Sequence, residues 1–202
     1  MSNRNYEAVP LETERLILKK GSIEDYEKVF EYNFIFLRGI GGIFEYRKLS
    51  DGHIKKWYPE GIEKSHLKSE ENHEFAYIIY LKDGTPIGHI DASNENKDMD
   101  NSVELSFNLH PNYWGQGYIV EACTILMNHL FNIGYENILL GYEATDTDEN
   151  YKSKRVSEKL GFEFLKEKEP FFHPALGIEV KSVLTVINKE KFRKMEETVN
   201  VK

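Results

Sequence analysis

The segment between residues 103 and 133 limits the possible folds more than any other part of the chain. Apolar and polar residues alternate from Val103 to Leu109, which is the period of a β-strand with one buried face. After a turn that contains two glycines, apolar residues recur at intervals of three and four from Ile119 to Ile133, as on one face of an α-helix. A strand that runs directly into an amphipathic helix predicts a fold in which helices cover a β-sheet.

The rest of the chain repeats these two periods. Asp83 and Gly84 predict a tight turn between two strands, and Gly134 predicts the end of the long helix. The element order β-α-(α)-β-β-β-α-β-α-β-β predicts an α/β (α+β) fold, in which a mixed, mostly antiparallel sheet of about seven strands is flanked by helices. Strands are expected at 15–19, 74–81, 86–91, 103–109, 137–144, 162–165 and 180–187, and helices from Ser22, over 119–133 and over 150–160.

Composition limits the class of protein and its partners. No internal repeat or linker interrupts the pattern, so residues 8–188 are expected to form one domain and residues 189–202 a C-terminal tail. The 26 basic and 34 acidic residues give a net charge of −8, which disfavours nucleic acid as a partner and favours cations such as amines. The chain has no apolar run of the ~18 residues that span a membrane and no apolar stretch near its N-terminus, so a cytoplasmic protein is expected. The single cysteine, Cys123, excludes an intrachain disulfide and is expected in the core.

The turn before the long helix carries the pattern that points to a ligand. Gly115 and Gly117 allow the backbone to adopt positive φ and to approach a ligand closely. The first N–H groups of the helix then face outward at the positive end of the helix dipole, an arrangement that binds anions such as a pyrophosphate. The alternative is an ordinary strand-to-helix turn with two incidental glycines. A Walker A loop is excluded because Tyr118 follows Gly117, and the dinucleotide fingerprint is excluded because Val120 stands where its third glycine is needed.

Three blocks of sequence resemble one family. The turn NYWGQGYIVEA at 112–122 is similar to the acetyl-CoA loop of the GNAT N-acetyltransferase superfamily. The block NxxS…VxxKLGF at 150–162 and the opening LETERLIL at 11–18 resemble the branch that acetylates the N-termini of ribosomal proteins, and its relatives that act on spermidine or small molecules. The resemblance spans residues 11–187, and only the stretch 38–72 has no recognisable counterpart.

The resemblance implies the acyl-CoA N-acyltransferase fold and acetyl-CoA as cosubstrate. In that family the sheet splays between its fourth and fifth strands, and the main chain at the end of the fourth strand pairs with the pantetheine arm of CoA. Asn150 would bond the arm from the far side. Lys152, Lys154 and Arg155 are candidate partners of the adenosine phosphates, with a solvated helix face as the alternative. By position, the residues implied beside the arm are Phe107, Asn108 and Leu109, and those implied around the pyrophosphate are Gly115, Gln116, Gly117, Tyr118 and Ile119.

Acetyl transfer to an amine needs a base for the amine, a donor for the thioester oxygen and an acid for the departing thiol. The candidate bases are Glu104, acting through water, and His173. A backbone N–H near Leu109 would polarise the thioester oxygen. The ribosomal-protein branch implies Ser153 near the thiol, as acid and cofactor contact, whereas Ser157 occupies the position of a tyrosine acid in many family members. Each candidate also has a purely structural alternative. Glu104 would be an outward-facing strand residue, His173 an ordinary loop histidine, and Ser153 a hydroxyl bonded to its own helix.

The expected function is transfer of an acetyl group from acetyl-CoA to a primary amine of a protein N-terminus, a polyamine or another small molecule. The alternatives are a CoA-binding sensor or partner-binding module without the chemistry, and an unrelated α/β nucleotide binder. No metal is expected, because the histidines and glutamates at 66–73 lack the i, i+4 spacing of two histidine ligands. A homodimer is expected, because members of the resembling family commonly form dimers through their last strands. The acceptor groove is expected to involve residues 38–72.

Overall fold

The computed structural model describes residues 9–26, 28–29, 75–93, 98–144, 151–173 and 178–200. Its strands are β1 (Leu11–Glu12), β2 (Leu16–Lys19), β3 (Phe75–Leu81), β4 (Pro86–Ser93), β5 (Ser102–Leu109), β6 (Asn137–Ala144), β7 (Glu163–His173) and β8 (Ile178–Asn188). They form one sheet in the order β1-β2-β3-β4-β5-β6-β8-β7. Neighbouring strands are antiparallel, apart from the parallel pair of β5 and β6. The predicted α/β fold with a mostly antiparallel sheet is confirmed.

Helices cover both faces of this sheet. The described helices are α1 (Tyr118–Asn132), α2 (Tyr151–Lys159) and α3 (Lys189–Asn200), and residues 23–26 and 28–29 are also helical. A 3-10 turn over Pro111–Tyr113 lies between β5 and α1. None of the described helices is long and apolar enough to cross a membrane.

The main core lies between α1 and one face of the sheet. The helix buries its stripe as the three-and-four spacing predicts, apart from Ile133 at its end, which is partly buried, and the strands opposite contribute their alternating apolar residues. A smaller cluster lies on the other face, where Tyr26 and Val29 pack on Ile78 and Tyr80. The main core contains Ala122, Cys123, Leu126, Met127 and Leu130 from α1 and Val103, Leu105, Ile138 and Leu140 from β5 and β6.

The sheet has strands at its edges that the sequence pattern does not predict in full. β1 has two residues, which is too short for a period to be recognised, and it brings the described strands to eight rather than seven. β7 continues to His173, eight residues beyond the predicted end at 165. Its pairing with β8 shifts register between Lys168 and Phe171, around Pro170. Charged residues and a proline at a bulge are typical of edge strands, and they hide the alternation.

Residues 189–202, expected from the sequence to form a tail, include helix α3. Phe192 of α3 is buried in the main core, and its ring lies 5.1 Å from the ring of Phe131 in α1. Met195 packs against the same core and covers Gly161. A single turn of apolar residues in a charged helix gives a weak sequence signal, so the packing of this segment could not be predicted from the period.

The sheet splays between β5 and β6, which are the fourth and fifth of the seven strands expected from the sequence. This is the place that the family resemblance implies. The two strands pair from Ser102↔Asn137 to Leu105↔Leu140, and the described register has no pair between them beyond that point. Past it, β5 continues beside β4 to Leu109, whereas β6 continues beside β8 to Ala144. This opening lies directly before the glycine turn.

Candidate functional site

The turn that joins β5 to α1 has an open, left-handed backbone. Gly115 has φ of +75° and Gly117 has φ of +81°, values that other residues adopt only with strain. A Cβ added at Gly115 would have no atom within 4 Å, so this part of the turn faces open space. His110 stabilises the turn's first residues, because its Nδ1 accepts a bond of 3.1 Å from the N–H of Asn112. The turn is therefore built to expose its backbone.

The start of α1 presents N–H donors to the same space. Gly117 is the N-cap and has no side chain that could accept a bond from the first turn. The N–H groups of the first turn have no partners within a helix, and the helix dipole adds positive charge there. This arrangement is suited to an anion with several oxygens.

The edge of β5 next to the opening carries main-chain groups without a neighbouring strand. The N–H of His110 donates to the carbonyl of Ile87 in β4 at 2.8 Å. Because the bonding direction alternates along a strand, the main-chain groups of Phe107 and Leu109 point away from β4 and toward the opening. The main chain of Asn108 instead faces His89 in β4.

A cavity of about 560 Å³ connects the turn, the end of β5 and α2. Of the predicted ligand residues, Phe107, Asn108, Leu109, Gly115, Gly117, Tyr118, Ile119 and Ser153 line it. Gln116 does not, because its side chain donates to the carbonyl of Asn112 at 3.1 Å and its own carbonyl accepts from Arg15. Asn150 lies outside the described residues and stays a prediction.

The wall formed by α2 is cationic. Lys152, Arg155 and Lys159 line the cavity, whereas Lys154 does not. Burial lowers the pKa of Lys152, whose ammonium lies 3.5 Å from the centre of the Trp114 ring. Positive charge therefore lies in the part of the cavity wall that α2 forms.

Trp114 is a residue of the site that enters the sequence pattern only as one letter of the turn. Its indole N–H donates to the carbonyl of Leu109 at 2.7 Å. Together with the contact to Lys152, this bond connects the end of β5 with α2 across the cavity. A buried indole N–H requires an acceptor, which is the signal that could have suggested a local main-chain partner.

Glu104 lies in β5 where β5 and β6 begin to part. Its Oε2 lies 3.5 Å from Nζ of Lys168 in β7. A Cβ added at Gly141 in β6 would lie 2.9 Å from its Oε1, so the missing side chain of Gly141 leaves room for the carboxylate. Because Val103 and Leu105 face the main core, the alternation puts Glu104 on the other face of the sheet.

The other catalytic candidates differ in how the structure describes them. Ser153 lines the cavity from α2. His173 is the last residue of β7, and its side chain lies outside the described part of the structure, so its role stays a prediction. Ser157 is buried, and its hydroxyl is 3.0 Å from that of Thr185, which donates to the carbonyl of Leu140. This serine joins α2 to the sheet.

Two further chemistries find no support around the cavity. Cys123 is fully buried in α1, and burial raises the pKa of its thiol, which disfavours the reactive thiolate. The described ranges contain no group of three or more potential metal ligands. Residues 66–73 are not among those ranges.

Comparison with known proteins connects this geometry to a family. Residues 15–163 match the family model described as Acetyltransferase (GNAT) domain. The chain is 26% identical over 167 residues to the uncharacterized N-acetyltransferase YnaD of Bacillus subtilis (strain 168), covering 79% of this chain and 84% of that protein.

Solved structures share the fold at lower identity. The ribosomal-protein-S5-alanine acetyltransferase of Vibrio fischeri superposes with a TM-score of 0.64 at 18% identity, over 91% of this chain and 98% of that one. The microcin C7 self-immunity acetyltransferase MccE, solved with acetyl-CoA and AMP, superposes with a TM-score of 0.64 at 14% identity, over 87% and 93% of the two chains. Since the family model covers most of the chain, including the splayed strands and the glycine turn, the chain belongs to the GNAT acetyltransferase family and is an acetyltransferase that uses acetyl-CoA.

Proposed function

We propose that the acceptor of the acetyl group is a primary amine, either the N-terminus of a protein or a small amine such as a polyamine. The observation that carries the proposal is the opening between β5 and β6. It combines an anion-binding turn, a strand edge that does not pair with β6, and the carboxylate of Glu104 at the point of parting. A donor in the cavity and an acceptor on the side of Glu104 would meet at this opening.

The residues around the cavity fit acetyl-CoA. The N–H groups at the start of α1 would hold the diphosphate of acetyl-CoA. Lys152 and Arg155 would pair with the phosphate on its adenosine. The main chain of Phe107 would bond the pantetheine arm. Asn108 Oδ1 is buried and has no hydrogen-bond partner among the described residues, so it would accept from an N–H group entering the opening. Bound acetyl-CoA supplies an activated thioester.

Glu104 is the proposed base. The amine must be neutral to attack, so its nitrogen has to give up a proton before or as the bond to the acetyl carbon forms. An α-amine with a pKa of about 8 is partly neutral at pH 7, whereas an amine with a pKa of about 10.4 is almost entirely protonated. Glu104 would take the proton through a water molecule, which makes its help more important for a polyamine than for a protein N-terminus.

Ser153 is the proposed source of the proton for the departing sulfur. As the new C–N bond forms and the C–S bond breaks, the sulfur carries away the electron pair and takes a proton from the Ser153 hydroxyl, which regains one from water. Ser153, in α2, lines the same cavity as the end of β5. The N–H of Leu109 would bond the acetyl oxygen, whose negative charge increases during the transfer.

The net charge of the chain supports a cationic acceptor. An excess of eight acidic residues gives an overall negative field that attracts ammonium groups. The same field repels the CoA phosphates, which makes the local cations of α2 and the N-terminus of α1 more important for donor binding.

The acceptor class is tested by measuring CoA release with a panel of amines. The panel contains peptides with free N-termini, the same peptides with blocked N-termini, spermidine and an aminoglycoside. We expect release with at least one free amine and none with the blocked peptides. Isothermal titration with CoA accompanies the assay, because tight CoA binding without release from any amine would contradict the proposed acceptor class.

The base is assigned by the variant Glu104→Gln, which keeps the side-chain shape and removes the charge. We expect kcat to fall about 10- to 100-fold, with the Kd for CoA within about twofold of the wild-type value. Glu158→Gln, on the exposed side of α2, is the matched control and should change neither value. An unchanged kcat in Glu104→Gln together with a large loss in His173→Ala would transfer the role to His173.

A further inference from the structure

The turn between β1 and β2 is bonded to the first turn of α1. The carboxylate of Glu121 accepts bonds from the hydroxyl of Thr13 at 2.5 Å, from the backbone N–H of Arg15 at 3.2 Å and from Nε of Arg15 at 2.6 Å. Nη2 of Arg15 lies 2.5 Å from the same carboxylate. Burial raises the pKa of Glu121, but the bonds from Thr13 and Arg15 outweigh this effect. The net pKa lies below its ordinary value, so the carboxylate stays charged. This cluster of Thr13, Arg15 and Glu121 is called the Arg15 cluster below.

Arg15 also contacts the glycine turn. Its Nη1 donates to the carbonyl of Gln116 at 3.0 Å. Its guanidinium carbon lies 4.5 Å from the centre of the Tyr118 ring, and its Nη2 lies 3.6 Å from the position of a Cβ at Gly117. The guanidinium therefore contacts three successive residues of the turn, and it does not itself line the cavity.

The bond to Gln116 fixes the direction of the next N–H group. In a trans peptide the carbonyl and the following N–H point in opposite directions. Holding the Gln116 carbonyl at Arg15 therefore turns the N–H of Gly117 away from Arg15, and Gly117 lines the cavity. Because both neighbouring glycines have wide conformational freedom, this direction would otherwise be set only weakly.

The charge of Glu121 has to be neutralised for the same reason. A carboxylate in the first turn of α1 would repel a diphosphate that binds there. Arg15 pairs with both oxygens of Glu121 through its side chain and backbone, so that the positive end of the helix dipole remains available to the ligand.

We propose that the Arg15 cluster holds the glycine turn in its diphosphate-binding conformation, with Arg15 as a positioning residue and not a ligand. The inference rests on the proposed role of the turn in binding the diphosphate of acetyl-CoA. It also gives a physical reason for the sequence block at 11–18 and for Glu121 near the end of the block at 112–122, since the structure puts them in contact.

The test compares a donor that has the diphosphate with one that lacks it. The variants are Arg15→Met, which keeps the length of the side chain, Glu121→Ala, and the milder Thr13→Val. For each we measure the Kd for CoA by titration and kcat/KM with acetyl-CoA and with S-acetylpantetheine. We expect Arg15→Met and Glu121→Ala to raise the Kd for CoA about tenfold and Thr13→Val about threefold, with kcat/KM for S-acetylpantetheine within about twofold of wild type. The matched control is Lys82→Met, which removes an exposed ion pair with Glu12 beside the cluster.

The outcomes distinguish a positioning role for Arg15 from direct ligation and from damage to the fold. An unchanged Kd in Arg15→Met would overturn the positioning role, and so would equal losses with both donors, which indicate general damage to the fold. Tighter CoA binding in Glu121→Ala would show that released Arg15 is a direct ligand, which also overturns the positioning role. Failure of the wild-type protein to bind CoA would overturn the proposed function and the inference together, whereas wild-type binding with unaffected variants would overturn the inference alone.

Discussion

Single residues at the opening have roles that follow from missing atoms as much as from functional groups. Gly141 is one of them, because the carboxylate of Glu104 occupies the space where a side chain at 141 would begin. Gly141 lies one residue past the last pair between β5 and β6, so its lack of a side chain leaves the carboxylate at the point of parting. The position of the proposed base thus depends on a glycine that carries no functional group.

Gly141→Ala is therefore expected to displace the base without unfolding the protein. The added methyl would meet the flexible end of Glu104 at 2.9 Å, and a small rotation of the carboxylate relieves the contact. We expect kcat to fall at least about threefold while the free energy of unfolding changes by less than about 1 kcal/mol. The double variant with Glu104→Gln serves as the control in a double-mutant cycle. If its kcat is lower than that of Glu104→Gln by the full factor of Gly141→Ala, the two residues act independently and the methyl does not act through Glu104.

At the scale of elements, the sequence predicts what has a regular period and an uninterrupted pattern. β5 and α1 could be placed from alternation and from the three-and-four spacing, and the two glycines of the turn predicted its positive φ values. The main-chain edge at Phe107 could be expected only from the family resemblance, because splaying depends on which strands fail to pair. That property leaves no mark in the period of either strand.

Elements and contacts set by distant parts of the chain could not be predicted in this way. The edge strand β7 was expected to end at residue 165 because its charged residues interrupt the alternation. The Arg15 cluster joins residues more than 100 positions apart in sequence, so only the fold reveals that Thr13 and Glu121 are partners. For Trp114 the need for an acceptor could be predicted but not its identity, because the bond to Leu109 depends on the direction of one carbonyl.

At the scale of the whole molecule, two partly buried histidines make stability depend on pH. Burial lowers the pKa values of His110 and His129 below the ordinary value of 6.5. The unfolded chain therefore binds protons near pH 6.5 that the folded chain does not, and the free energy of unfolding should fall as the pH decreases below about 6.5. His129 Nε2 is buried with no hydrogen-bond partner among the described residues, so a charge there would be poorly stabilised.

Urea unfolding at pH values of about 7.5 and about 5.5 measures this dependence. The wild-type protein should be less stable at the lower pH, and the variant His129→Gln should show a smaller difference between the two pH values, whatever its stability at the higher one. Equal differences in the two proteins would show that His129 does not contribute to the pH dependence.

Four residue pairs join β5 to β6, fewer than the strands could form along their full length. The sheet therefore consists of two sub-sheets, one of β1 to β5 and one of β6 to β8, connected by this short pairing. The described cavity touches β5 in the first sub-sheet and α2, the helix that follows β6. A molecule that fills the gap would contact both halves and hold them at a fixed angle. We therefore expect ordered kinetics, in which the acetyl donor binds before the amine.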